Sequence, residues 1–237
     1  MAYAVIAMEK IMHIPDGYLG PATYGSLWAV MLPIWGLASR KVKQTVKTAE
    51  VPYLAMGTVF SLMAMMFVLP IPGGTTGHIS GTTLVAILLG PWPAIVAVTI
   101  SLAIQALIMG DGGITAIAAN CFNIAVIGAF TGSGIYRLIT LPGGQGRQPS
   151  ARRSAFAAAI AAYLAVNAGA LTASLFLGLQ PVIYGESGSG YFPFPLRVAL
   201  PATMLPHLTV IGALEASVTA LVITFLKTQG GRFEKNS

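Results

Sequence analysis

The stretch that decides the fold covers residues 78–110 and reads HISGTTLVAILLGPWPAIVAVTISLAIQALIMG. It is apolar for more than thirty residues and is interrupted once, at Gly90-Pro91-Trp92-Pro93. A bilayer crossing needs about 20 apolar residues, and proline ends one helix and can begin the next. We therefore predict two membrane crossings here, joined by a tight turn.

The rest of the chain has the composition of a polytopic membrane protein. Hydrophobic residues make up 55% of the 237 positions and charged residues only 8%, whereas about 25% of the residues in a soluble domain are charged. Further apolar spans are predicted over residues 23–38, 51–69, 114–139, 156–179 and 198–226. With the two crossings above, they predict an all-α membrane protein with about seven transmembrane helices.

The positive charges predict how these spans are oriented. The formal charge is +6, and eleven of the 13 Lys and Arg residues cluster within residues 40–47, 137–153 and 227–235. Seven crossings place all three clusters on the cytoplasmic side, as the positive-inside rule requires. The outer side then holds the N-terminus and loops 70–82, 110–113 and 180–195, and the C-terminus is cytoplasmic. We predict a multi-pass protein of the inner or plasma membrane that does not bind nucleic acid.

The chain divides into three parts. Residues 1–11 lack the basic region, the long apolar region and the cleavage site of a secretory signal. We interpret them as an upstream extension or a mis-assigned start, and expect the working protein to begin at Met12 without them. Residues 12–228 form a single transmembrane domain, and residues 229–237 form a cytoplasmic tail.

Residues 12–19, MHIPDGYL, contain a potential metal chelate. If Met12 is N-terminal, its amino group and the amide and imidazole nitrogens of His13 offer three donors from two consecutive residues. His78 is predicted on the same side of the membrane and could close a square of four nitrogens, a geometry favoured by Ni(II) and Cu(II). The alternative is that each histidine is an ordinary interfacial side chain.

Four other polar residues could orient a ligand imidazole without touching the ion, as the outer hydrogen-bond partners of metal sites do. They are Asp16, Gln105, Asn120 and Asn123. Hydrogen bonding between helices explains the three amides equally well. Asp16 and also Asp111 lie in turn sequences, where aspartate commonly bonds to the local backbone.

Two ionisable residues fall inside the last apolar span. Glu215 is a functional hypothesis by default, because an ionisable group is costly in a membrane, although it could also be a packing contact. His207 is expected to be structural, since no other candidate ligand stands beside it in the sequence. The motifs GxxxxGK[ST], HExxH and GxSxG are absent. The sequence therefore gives no support for ATP hydrolysis, zinc proteolysis or serine hydrolysis, and no cofactor is expected.

Four motifs together resemble the NikM/CbiM family, the substrate-binding membrane subunits of energy-coupling-factor nickel and cobalt transporters. They are residues 12–19, residues 72–78 (PGGTTGH), residues 110–114 (GDGGI) and residues 206–208 (PHL), and the resemblance runs from Met12 to about Leu226. It implies a seven-helix substrate-binding domain. It also implies a metal bound by the Met12 amino group, by the backbone nitrogen and imidazole of His13, and by His78. Ile11 stands before Met12, which departs from the family's pattern.

The resemblance also implies a cargo and partners. The proline and aspartate after Met-His-Ile look more like the nickel branch, so Ni(II) is the expected substrate and Co(II) the second candidate. The implied partners are two cytoplasmic ATPase subunits, a transmembrane coupling (T) subunit and, in some systems, a small accessory membrane subunit. The chain itself would be non-catalytic.

Two alternatives stay open at this point. A substrate-binding component for an organic micronutrient predicts a pocket with aromatic and hydrogen-bonding groups. A membrane metalloenzyme needs an open coordination position on its metal.

Overall fold

A computed structural model gives the structure over residues 13–71, 75–141, 149–185 and 190–233. The helices in chain order are α1 Pro21–Thr45, α2 Val51–Met66, α3 Thr82–Leu89, α4 Pro91–Ile104, α5 Ile117–Asn120, α6 Gly128–Thr140, α7 Ala151–Gly178, α8 Gln180–Tyr184, α9 Leu196–Pro206 and α10 Gly212–Phe233. A 3-10 turn over Thr48–Glu50 precedes α2, and π-helical turns cover Gln105–Met109, Cys121–Ile127 and His207–Ile211. Strands β1 (Leu69–Ile71) and β2 (Thr75–Gly77) pair antiparallel. The predicted helical class is confirmed, with this one short hairpin added.

Within the described residues, five continuous helical segments are long and apolar enough to cross a membrane. They cover Thr48–Met66, Pro91–Met109, Ile117–Thr140, Ala151–Tyr184 and Leu196–Gln229. The protein is therefore a multi-pass membrane protein, as predicted. The count of seven is not confirmed, and the side on which each terminus lies stays a prediction.

The predicted membrane crossing in the first half of residues 78–110 is the prediction that differs most from the structure. Helix α3 has eight residues, which at 1.5 Å per residue is about 12 Å, less than half of a hydrocarbon core about 30 Å thick. It is therefore too short to be a full helical crossing. The predicted break is present: Gly90 ends α3 with φ at 95°, and Pro91 begins α4. A positive φ suits glycine, and proline fits the first turn of a helix because its missing N–H would have no partner there.

Small residues allow the helices to pack closely around the short α3. One face of α7 is lined by alanines that are 0–2% exposed, namely Ala157, Ala158, Ala161, Ala162 and Ala165. On α6, a side chain at Gly132 would collide with Thr83 of α3. Small side chains let backbones approach each other in lipid. This packing keeps α3, and the loop that precedes it, inside the helical bundle.

Candidate metal-binding site

Two histidines that are far apart in sequence, His13 and His78, lie side by side. His13 is the first described residue, and His78 directly follows β2. Their ring centres are 4.9 Å apart and their planes are inclined at 53°. A ring nitrogen about 2 Å from an ion places its ring centre about 3.2 Å away, so two rings at right angles around one ion have centres about 4.5 Å apart. The observed separation therefore suits two neighbouring ligands of a single ion.

The His78 ring is in the form that binds metals. Its Nδ1 lies 3.3 Å from the carbonyl oxygen of Ile79. Because a carbonyl only accepts, Nδ1 carries the proton and Nε2 keeps its lone pair. Burial, followed by the neighbouring His13, lowers the pKa of His78 to about 3, since removal from water disfavours the charged imidazolium. At neutral pH the ring is therefore uncharged, with Nε2 available as a ligand.

The loop after His13 is held by bonds to a distant part of the chain. The Asn120 side chain pairs with the backbone of Ile14 in both directions, accepting from its N–H at 2.9 Å and donating to its carbonyl at 3.0 Å. The Asp16 carboxylate accepts from the N–H groups of Ile114 at 3.0 Å and Thr115 at 2.8 Å. Partial burial raises the pKa of Asp16, but these bonds, led by that from the Thr115 hydroxyl, outweigh it and lower the pKa. Asp16 does lie in a turn, as predicted, but its carboxylate bonds to these distant residues.

Asp111 is a neighbour of the histidine pair that the sequence did not single out as one. Its Oδ1 lies 3.3 Å from Nδ1 of His13, without the alignment of a hydrogen bond. Burial raises the pKa of Asp111, whereas His13 and then His78 lower it, and the net direction is down. The carboxylate is thus ionised beside His13. It provides negative charge next to the place where a cation would bind.

Glu215 anchors the loop that carries His78. Its buried carboxylate, in a side chain 2% exposed, accepts from the backbone N–H of Ser80 at 2.7 Å and of Gly81 at 2.9 Å. The Ser80 hydroxyl donates a third bond at 3.3 Å. Charge-assisted bonds of this kind are among the strongest in proteins. Glu215 therefore fixes the loop between β2 and α3 to the last helix, next to the histidine pair.

The histidine pair opens onto a cavity of about 320 Å³. Its wall includes Asn120 and Asn123, and also a third histidine, His207. Sequence reasoning expected His207 to be structural because no ligand stands near it in the chain, and only the fold brings it to this wall. Gln105 lies elsewhere, with its amide nitrogen 3.5 Å from the sulfur of Met65 and 3.4 Å from the Ser101 carbonyl. Among the four predicted orienting residues, Gln105 is thus not brought to the histidines. The predicted ligand Met12 lies outside the described residues.

The sequence matches a family model described as the CbiM cobalt uptake substrate-specific transmembrane region, over residues 13–232. The chain belongs to the CbiM family. The match begins at His13 and covers all three histidines. It confirms the resemblance seen in the motifs.

Relatives and a solved structure agree with membership of the CbiM family. The chain is 43% identical over 218 residues to the fused nickel transport protein NikMN of Rhodobacter capsulatus, covering 91% of the chain and 62% of that protein. It is 45% identical over 221 residues to the probable fused nickel transport protein LarMN of Lactiplantibacillus plantarum, covering 91% and 64%. The chain thus spans a little under two thirds of both relatives. The crystal structure of a truncated transition metal transporter has a TM-score of 0.83 at 44% identity, covering 92% of this chain and 99% of that one.

Proposed function

We propose that the chain is the substrate-capture component of an energy-coupling-factor importer for transition-metal ions, with Ni(II) as the cargo and Co(II) as the second candidate. The observation that carries this proposal is the contact of His13 with His78, whose ring separation of 4.9 Å suits one shared ion. The family match and the two relatives named as nickel transport proteins support it. Because those relatives are transport proteins, the assigned role is transport and not catalysis.

The proposed ligands are the amino group of Met12, the main-chain nitrogen and imidazole of His13, and Nε2 of His78. Met12 directly precedes His13 in the sequence. In the part of the chain that the structure describes, no three His, Cys, Asp or Glu side chains form a group able to hold an ion. Side chains alone therefore do not complete a site there, which favours a set that includes main-chain nitrogens. Four nitrogens in a square are a geometry favoured by Ni(II).

The surrounding residues have defined roles in this proposal. Asn120 and Asp16 hold the loop that carries His13, and Glu215 holds the loop that carries His78. The ion thus joins two loops whose positions are already fixed, which reduces the ordering cost of binding. Asn123, on the cavity wall, has a side-chain oxygen without a hydrogen-bond partner among the described residues.

The energy for uptake would come from other chains. The sequence contains no phosphate-binding GxxxxGK[ST] loop, so it does not show the usual means of holding ATP phosphates. The proposed partners are two cytoplasmic ATPase subunits, a transmembrane coupling subunit and a small accessory membrane subunit. The proposed location is the inner or plasma membrane.

A second candidate is a substrate-binding component for an organic micronutrient. The cavity of about 320 Å³ is larger than an ion needs, and its wall includes the aromatic rings of Tyr18 and Phe192. An organic ligand gives no reason for two imidazoles to lie 4.9 Å apart next to a carboxylate. The metal proposal explains that arrangement.

Equilibrium dialysis of the protein beginning at Met12 with Ni(II), Co(II), Cu(II) and Zn(II) tests the proposal. The expected result is one tightly bound ion per chain and a loss of about 100-fold or more in Ni(II) affinity in His78→Ala. Thr140→Ala is the matched control and keeps full affinity, because among the described residues the Thr140 hydroxyl bonds only to carbonyls of its own helix. Absence of stoichiometric metal, or equal affinity in His78→Ala, would contradict the proposal. Cu(II) should bind most tightly by the Irving–Williams order, so Ni(II) and Co(II) must be distinguished by cellular uptake.

A further inference from the structure

The third histidine, His207, forms part of the cavity wall. It begins the π-helical turn His207–Ile211, where α9 meets α10. Its Nδ1 lies 2.8 Å from the carbonyl oxygen of Thr203. Since that oxygen only accepts, Nδ1 carries the proton and Nε2 keeps its lone pair. A second-sphere bond of this kind fixes the tautomer and orientation of metal-binding histidines.

His207 lies deep along its membrane span. It stands 11 residues beyond Leu196, where α9 begins, which corresponds to about 16 Å along a helix. That depth is about half of a hydrocarbon core of about 30 Å. Ionisable residues are rare at this depth and mark the paths of ions and substrates. The π-helical turn that begins here is also a distortion often found at functional sites.

The cavity connects His207 with the proposed capture site, which is the set of ligands from Met12, His13 and His78. The same cavity wall includes His13, His78 and His207, and the His207 side of it is otherwise formed largely by apolar residues such as Val198, Ala199 and Ala202. The volume of about 320 Å³ has room for an ion together with several water molecules. The imidazole of His207 is the strongest ligand that this apolar wall offers. An ion that leaves His78 through the cavity would therefore meet this nitrogen.

We propose that His207 is a second binding station for the transported metal ion, reached after capture at His13 and His78. This inference rests on the proposed function. Transfer is a ligand exchange without a change of oxidation state: a bond from the ion to Nε2 of His207 forms as a nitrogen bond at the capture site breaks, and water fills the other positions. One imidazole with water binds far more weakly than four nitrogens. Weak binding suits an intermediate position from which the ion must leave again.

Electron paramagnetic resonance of the purified protein beginning at Met12, titrated with Cu(II), tests this proposal. The first equivalent should give a multi-nitrogen spectrum from the capture site. The second equivalent should give a spectrum with hyperfine coupling from one imidazole nitrogen, together with dipolar broadening that shows both ions in one cavity. In His207→Phe the first spectrum should remain and the second should be replaced by that of hydrated Cu(II). Tyr163→Phe removes only the hydroxyl that donates to the Leu208 carbonyl beside His207, and it should behave as the wild type.

The outcomes separate the two proposals. If the first equivalent fails to bind through nitrogen, the proposed function is wrong. If the first binds as expected but the second gives only hydrated Cu(II) in the wild type, the second station is wrong and the capture site stands. The second station is equally wrong if the single-imidazole spectrum persists in His207→Phe. His207→Gln, which is also polar, repeats the comparison should the phenylalanine variant fail to fold.

Discussion

Replacing Glu215 by glutamine should weaken metal binding without touching a ligand. The carboxylate accepts from two backbone N–H groups, at 2.7 Å and 2.9 Å, and from the Ser80 hydroxyl. A hydrogen bond to a charged group contributes about 1.5–3 kcal/mol, and a buried donor left without a partner costs about 1–3 kcal/mol. The glutamine oxygen can keep one backbone bond, while its NH₂ group faces the other N–H. The loop that carries His78 should therefore lose about 2–4 kcal/mol of its anchoring.

That loss reaches the ion through the position of His78. Changes to the outer partners of metal ligands typically lower affinity about 10–100-fold, which corresponds to about 1.4–2.8 kcal/mol. Competition with a coloured chelator for Ni(II) measures it directly. Ser217→Ala is the matched control on the same helix, because its exposed hydroxyl bonds to the carbonyl of Ala213 and to no other described residue. Unchanged Ni(II) affinity in a folded Glu215→Gln protein would refute the reasoning that this carboxylate positions His78.

Three further predictions concern the loop that carries His13 and the effect of pH. Asn120→Leu removes both bonds to the backbone after His13, so Ni(II) affinity measured by chelator competition should fall about 10-fold or more. Gly113→Ala places a methyl group against that same backbone, so this variant should lose Ni(II) in dialysis. Gly134→Ala is its control and should keep Ni(II), because a methyl group there meets nothing within 4 Å. Affinity should be at least about tenfold weaker at pH 6 than at pH 8, because the amino ligand must lose a proton of pKa about 8. His78 adds nothing to this change, since burial lowers its pKa to about 3 and it is neutral at both values; a flat pH profile of affinity would count against an amino ligand.

Much of the fold could be predicted because lipid imposes long apolar segments. The break at Gly90-Pro91 follows from local backbone chemistry and is where the sequence predicts it. The length of α3 could not be predicted from hydropathy. In the residues before it, 78–81, Gly81 has φ at 66° and its backbone N–H bonds to Glu215 rather than continuing a helix. A contact between residues 134 positions apart in sequence leaves no local signal.

The candidate site was predictable only where chemistry is local. Met12 and His13 are adjacent, so their joint capacity to chelate can be seen in the sequence. His78 could be paired with them only through the predicted side of the membrane and the family resemblance. Asp111 was interpreted as a turn residue from its sequence, and His207 as structural because no candidate ligand stands beside it. Tertiary packing places Asp111 beside His13 and His207 on the wall of the same cavity. Gln105 was predicted to orient a ligand, but its side chain packs against Met65 and not against the histidines.

The most direct test of the proposed capture site compares Ni(II) binding by two forms of the chain, one beginning at Met1 and one at Met12. The amino group of Met12 exists only in the shorter form, because in the longer form that nitrogen is a peptide amide. We expect the Met12 form to bind one Ni(II) with the absorbance of a four-nitrogen square-planar complex, and the intact Met1 form to bind far more weakly. N-terminal sequencing of the protein from cells should find residues 1–11 missing. Equally tight binding of Ni(II) in the same geometry by the longer form, with its extension verified as intact, would contradict the amino-ligand site.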